Sequence, residues 1–146
     1  MTRYVLGFMF DQDHKKVLLV EKTSPAWQAG KFNGVGGKLE DGERAVDAMV
    51  REFREETGIA TDEWDWEYRL DIKSEVFQVL IYMAEGRIDL ARKTSAKDSP
   101  VRFPVNELPP NQLGNLRWIV PFLLDRPDII RAVGDDTVEA ARQTID

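Results

Sequence analysis

The sequence predicts an α+β domain on three observations. Apolar runs of strand length recur along the chain, a glycine-rich segment separates the first two from an amphipathic helical stretch, and helical stretches also close the chain. "YVLGFMF" (4–10) and "KVLLVEK" (16–22) flank "DQDHK", whose turn residues predict an antiparallel hairpin with His14 exposed and idle in the turn. Residues 24–43, "SPAWQAGKFNGVGGKLEDGE", hold five glycines and a proline, too many for a helix or a regular strand interior. A long loop is expected there, and long ordered loops in compact domains usually carry function. A helix follows over 44–57. Strands are expected over 64–72 and 74–85, a polar loop over 86–100, and a shorter strand over 101–108 that Pro104 weakens. Helices are expected over 114–125, where Pro121 would kink or restart the turn, and over 137–146.

A chain of 146 residues is expected to form one domain, 1–146, because chains near this size bury roughly two-thirds of their unfolded surface. Apolar residues make up 42% and charged residues 32%, and no run approaches the ~18 apolar residues of a membrane span, so neither a membrane partner nor insertion is expected. Asp11 breaks the apolar N-terminal run and no small-residue cleavage site follows, which points to a cytoplasmic protein without a signal peptide. Zero cysteines exclude disulfides, thiolate metal sites and a cysteine nucleophile. A net charge of -6 argues against a grip on nucleic acid polymers, which needs clustered Lys and Arg. A small anionic ligand remains open if a metal or a local basic patch offsets the charge.

The helix over 44–57 holds Glu52, Glu55 and Glu56. With ~100° per residue and Glu52 at zero, Glu55 falls at about -60° and Glu56 at about +40°, so the three carboxylates share one arc. Val46, Met49, Val50, Phe53 and Thr57 form the adjacent stripe that packs on a sheet. Ala45 and Ala48 lie within the acidic arc one to two turns earlier, where small residues leave room for a ligand. Arg51 flanks the arc and can hold a carboxylate by a charge-assisted bond. Like charges at i, i+4 cost about 0.2–0.5 kcal/mol, and the helix C-terminus disfavours anions further. A divalent cation reverses both penalties. With oxygen donors, no cysteine and a single histidine, the hard ions Mg²⁺ or Mn²⁺ are favoured over zinc.

Residues 37–59 resemble the signature of the Nudix hydrolases: Gly37, then Glu43, then Arg51-Glu52-Phe53-Arg54-Glu55-Glu56-Thr57-Gly58-Ile59, with no departure from its fixed positions. The box covers 23 of the 146 residues. The flanking order of hairpin, Gly-rich loop, box helix, further strands and a late helix is similar to that family's α/β/α sandwich around a mixed β-sheet. The resemblance implies cleavage of a nucleoside diphosphate linked to another group, by attack of a metal-activated water on phosphorus. It implies that Glu52, Glu55 and Glu56 ligate metal, that one of the three takes the water's proton, and that Gly37 offers its carbonyl. Arg51 and Glu43 orient the ligands. Gly58 reads as a C-cap in the left-handed region. A further acid is implied after the fourth strand. Asp98 is the candidate, with Glu75, Glu85 and Glu107 also available.

The loop "GKFNGVGGKLEDGE" is similar to the nucleoside triphosphate branch of that family, including its hydrolases of oxidised purine triphosphates. An Asn before the Gly-rich turn reads the base there, and Asn33 stands in that place; it reads equally as a turn residue before Gly34. Asn33, Gly36, Gly37 and Lys38, with Asn115 and Trp118 near the late helix, are the implied substrate-binding residues. Trp27, Phe32 and Trp118 either stack on a base or belong to the core. Leu113, Gly114 and Asn115 replace the acidic residues and the stacking Trp of the oxidised-purine type, a departure that weakens the implied 8-oxo-purine specificity. The implied reaction is Mg²⁺-dependent hydrolysis of a nucleoside triphosphate to the monophosphate and pyrophosphate by a monomer or homodimer. Alternatives are hydrolysis of ADP-ribose or a dinucleotide, and a non-catalytic nucleotide sensor.

Overall fold

A computed structural model describes residues 1–94, 96–113 and 115–125. In chain order the elements are β1 (Thr2–Phe10), β2 (Lys16–Glu21), β3 (Phe32–Asn33), β4 (Val35–Lys38), α1 (Ala45–Thr57), β5 (Glu67–Lys73), β6 (Phe77–Glu85), β7 (Ser99–Pro104) and α2 (Leu116–Asp125). The strands form one mixed sheet in the order β3-β2-β1-β6-β5, with β4 also on β1 and β7 also on β2. β1 and β6 run parallel; the other pairs are antiparallel.

Alternation along β1 explains why 5–10 are all buried. Leu6, Phe8 and Phe10 join Val17 and Leu19 in a core beneath Leu116, Ile119, Val120 and Leu123 of α2. Val5 and Met9 join Leu18 and Val20 in a second core beneath Ala48, Met49 and Phe53 of α1. Both faces of the sheet are covered, so a central strand reads as a continuous apolar run. Among the described residues no helix is long and apolar enough to cross a membrane.

The hairpin forms as expected, with Met9 opposite Leu18 and Phe10 opposite Val17. His14 is not idle: at φ 58°, its Nε2 lies 2.8 Å from Glu85 Oε1, and its ring packs on Phe10. The segment 24–43 is more ordered than a loop. β2 covers only the far end of the β1 edge, leaving Tyr4–Gly7 open, and β4 pairs there, Leu6 opposite Gly36 and Val5 opposite Gly37. A Cβ on Gly36 would fall on the carbonyl oxygen of Val5, so the glycines permit this strand where they had argued against one. β3 pairs instead with β2, so the chain crosses from β2 to β1 at Gly34.

Residues 63–65 form a 3-10 turn with a reciprocal Asp62–Asp65 capping box, which delays β5 to Glu67. Ser74–Val76 turn before β6, Ser74 Oγ accepting from Val76 and Phe77 N–H. The polar segment 86–100 includes a 3-10 turn, Ile88–Leu90, and the first residues of β7. β7 pairs along all of β2, and Pro104 is its last residue, the place where a missing donor costs least. Pro121 lies exposed within α2. The helix expected over 137–146 lies outside the described residues.

Candidate active site

α1 begins after Arg44 and ends at Gly58, whose φ of 76° and N–H to Arg54 carbonyl make the expected left-handed cap. Its buried stripe, Ala48, Met49, Phe53 and Thr57, lies on the sheet. Ala48 therefore belongs to the core and leaves no room for a ligand. It is fully buried in the core that α1 shares with Val5 of β1 and Val35 of β4, and only Ala45 of that pair is partly open.

Arg51 organises the acidic end. Nε and Nη2 donate to Glu43 Oε2 and Oε1 at 2.8 and 2.9 Å, Nη1 donates to Glu52 Oε1 at 2.9 Å, and Nη2 also reaches the Lys38 carbonyl at 3.3 Å. Glu55 Oε2 stands 3.6 Å from the same guanidinium and is otherwise exposed. The fork geometry of arginine makes this possible, and it ties the loop after β4 to the helix. The hydrogen bond from Arg51 lowers the Glu43 pKa, while the bond to Glu43 raises that of Arg51. Burial raises the pKa of Glu52 against the opposing pull of Arg51.

Gly37 lies against Glu52: a Cβ there would run into its carboxylate. This is the close approach that the signature glycine permits. Glu56 is pushed up to about 7, first by burial and then by the charge of Asp98, with Lys22 opposing and Glu52 and Glu55 adding. Its Oε2 is buried without a hydrogen-bond partner among the described residues. Asp98, 6% exposed, is thereby brought beside the helix. It accepts from Lys22 Nζ at 2.9 Å, Thr23 N at 3.0 Å and Thr23 Oγ1 at 3.3 Å. The segment leading to it is strapped to α1 by Thr94 Oγ1 donating to the Glu55 carbonyl at 2.6 Å and Arg92 N to Thr57 O at 3.0 Å. Glu75, Glu85 and Glu107 are exposed, and Glu85 is engaged by His14.

These residues suit a hard divalent cation: the donors are carboxylates, one carboxylate oxygen is buried and orphaned, and the glycine leaves an approach from β4. As the side chains stand, no three acidic groups among the described residues converge closely enough to hold an ion. Binding therefore requires side-chain rotation, and Asp98 would have to leave part of its present hydrogen bonding.

A cavity of about 190 Å³, room for several waters, opens beside this cluster. Tyr4, Leu6, Lys22, Gln28, Asn33 and the backbone of Gly36–Gly37 are among its walls. Asn33 is buried, and its Oδ1 accepts from Gly34 N at 2.8 Å, so it shapes the crossing as well as lining the cavity. Lys38 is exposed at the end of β4 and, unlike its neighbour Gly37, does not line the cavity. Trp118 does not line the cavity: it is half-buried against the α2-side core, edge-on to Phe122 at 6.1 Å. Phe32 likewise packs edge-on to Phe103 at 4.9 Å, and Trp27 is exposed with Lys31 over its ring. Asn115, also outside the lining, is fully buried at the head of α2, its Oδ1 and Nδ2 unpartnered among the described residues.

Tyr4, Lys22 and Gln28 were missed by sequence reasoning. Lys22 alone carried a signal, as a cation where a strand meets the Gly-rich segment.

Comparison with known proteins shows the family and the fold. A family model described as the NUDIX domain matches residues 1–122. An uncharacterized Nudix hydrolase, YvcI of Bacillus subtilis, is 46% identical over 48 residues, a match that covers 33% of this chain and 28% of that protein. Among solved structures, the mutator MutT protein of Bacillus halodurans superposes with a TM-score of 0.69 at 21% identity, covering 91% of this chain and 88% of that one. A MutT from work on Aliivibrio salmonicida and Vibrio cholerae superposes with a TM-score of 0.60 at 20% identity, covering 74% and 87%. At these identities the two structures show a shared fold.

Proposed function

The chain belongs to the Nudix hydrolase family, enzymes acting on phosphorus anhydrides, and from that premise we propose that it hydrolyses a nucleoside triphosphate to the monophosphate and pyrophosphate with Mg²⁺. One observation carries the reading. The cavity lined by Asn33 is also lined by Gly36 and Gly37, and Gly37 touches the carboxylate of Glu52. A ligand whose base lies against Asn33 thus extends its phosphates toward the acidic end of α1.

In this reading Glu52, Glu55 and Glu56 hold the cation, with Asp98 and the Gly37 carbonyl as further ligands. Mn²⁺ is the expected substitute, since it shares the preference for oxygen donors. When bound, the ion neutralises phosphate charge and lowers the pKa of water. Arg51 fixes Glu52 and Glu43, so that Glu52 presents its free oxygen in one orientation. Asn33 offers the amide end of its side chain to a base edge, its oxygen being committed to Gly34. Water's oxygen joins the first phosphorus and its proton passes to a carboxylate among Glu52, Glu55 and Glu56, the anhydride bond between the first and second phosphates breaks, and pyrophosphate leaves. The protein's location in the cytoplasm and its action as a monomer or homodimer belong to the same proposal.

The test is a panel of nucleoside triphosphates, oxidised triphosphates, ADP-ribose and diadenosine polyphosphates with Mg²⁺. Pyrophosphate and a monophosphate from at least one triphosphate are expected. Orthophosphate alone would place the cleavage at a different bond, and turnover confined to ADP-ribose or a dinucleotide would move the substrate class.

A further inference from the structure

Asp98 and Lys22 are 76 positions apart, and the fold closes their side chains to 2.9 Å at the boundary between the acidic cluster and the cavity. The ion pair is largely withdrawn from water, the Lys22 side chain being 24% and the Asp98 side chain 9% exposed. Lys22 is the one cationic side chain among the described residues lining the cavity. Its ammonium thus faces two anions in turn, the carboxylate it now holds and the phosphate chain of any nucleotide that enters. Asp98 is similarly shared, since it stands beside Glu56, whose Oε2 has no partner among the described residues.

We propose that Lys22 is a positioning residue that occupies Asp98 in place of the divalent cation, and that when the cation takes Asp98 the released ammonium turns to the phosphates in the cavity. The inference rests on the metal and nucleotide reading above. Its physical basis is competition: one carboxylate cannot give the same lone pairs to an ammonium and to a metal ion, and a buried charge that loses its partner must find another. The Thr23 N–H and hydroxyl, both on Asp98 Oδ1, keep the carboxylate in place while Oδ2 changes partner. Metal and nucleotide binding are then coupled, because the cation's arrival frees the group that receives phosphate.

The experiment is a titration with Mn²⁺ alone, with free ion followed by electron paramagnetic resonance. It is run on wild type, Lys22→Met, Asp98→Asn and the double variant, with Lys22→Gln added and thermal melts confirming folding. Lys22→Met and Lys22→Gln should bind Mn²⁺ about tenfold more tightly than wild type, the scale of one charge-assisted hydrogen bond removed from competition. In the Asp98→Asn background the same change should alter affinity by less than about twofold, since coupling through Asp98 is then absent. The second arm measures inorganic triphosphate binding with Mn²⁺ saturating. Lys22→Met should weaken it about tenfold, so that metal and phosphate affinities move in opposite directions. Unchanged or weaker Mn²⁺ binding in the Lys22 variants, an enhancement that persists without Asp98, or undiminished triphosphate binding would each overturn the hand-over. Glu56→Gln is the control for the underlying site: full Mn²⁺ affinity there would overturn the metal reading itself, whereas lost affinity with a failed Lys22 arm would overturn the hand-over alone.

Discussion

Glu56 is the residue at which folding and chemistry pull apart. Its carboxyl titrates near 4.5 in an unfolded chain and near 7 in the fold, so between those values the folded state binds the extra proton. Stability of the metal-free protein should therefore fall as pH rises from about 4.5 to about 7 and level off above. Glu56→Gln should flatten that slope, as urea midpoints on either side of the window would show; the variant should be no less stable than wild type at neutral pH. Its activity should drop by roughly 10² or more, the scale for losing a positioned base or a metal-held nucleophile. Full turnover in Glu56→Gln would remove Glu56 from the catalytic machinery. At Asn33 the expected loss on Asn33→Ala is about 1–3 kcal/mol in kcat/KM for the preferred base and less for a poor substrate. Equal losses for every base would assign Asn33 to the Gly34 crossing alone, where its Oδ1 already bonds.

At the scale of elements, the joint between β4 and α1 governs the site. Arg51 reaches Glu43, Glu52 and the Lys38 carbonyl at once, and lysine, with a compact ammonium, reproduces at most part of that fork. Arg51→Lys should cost about 1–3 kcal/mol of stability, from bonds to charged groups left unmade. It should also reduce kcat, because Glu52 loses its orientation; a variant that melts lower with kcat unchanged would make Arg51 purely structural. The opposite end of α1 is held by Gly58, where φ is 76° and the Arg92 guanidinium fills the space a Cβ would need. The exposed Arg92 side chain can swing aside, so Gly58→Ala is strained by its backbone alone and should destabilise by about 1–2 kcal/mol. Equilibrium unfolding measures that directly.

For the whole molecule, a cation that binds the folded state alone must raise its stability by mass action, about 2.7 kcal/mol at a hundred times Kd. Mg²⁺ should thus raise Tm in a concentration-dependent way, and the increment should vanish in Glu56→Gln; an increment that survives would put the ion elsewhere. What the sequence by itself determined is what depends on short-range geometry. The hairpin, the acidic arc of α1, the left-handed cap at Gly58 and the adjacency of Arg51 to Glu52 follow from turn chemistry and 3.6 residues per turn, which spacing alone specifies. The tertiary structure decided what depends on register between distant strands. It made a strand of Val35–Lys38, because β1 had an open edge only once β2 paired at Met9 and Phe10. It buried Ala48, which the helical wheel alone had placed in the acidic arc, and it packed Trp118 and Phe32, partly buried, against the core. It also brought Lys22, Asp98 and Glu56 together from three segments, at the place where β7 pairs along β2 and its leading strap reaches the end of α1. Local periodicity is carried by neighbours in the chain, whereas the partner of a buried charge is chosen by the packing of the whole sheet.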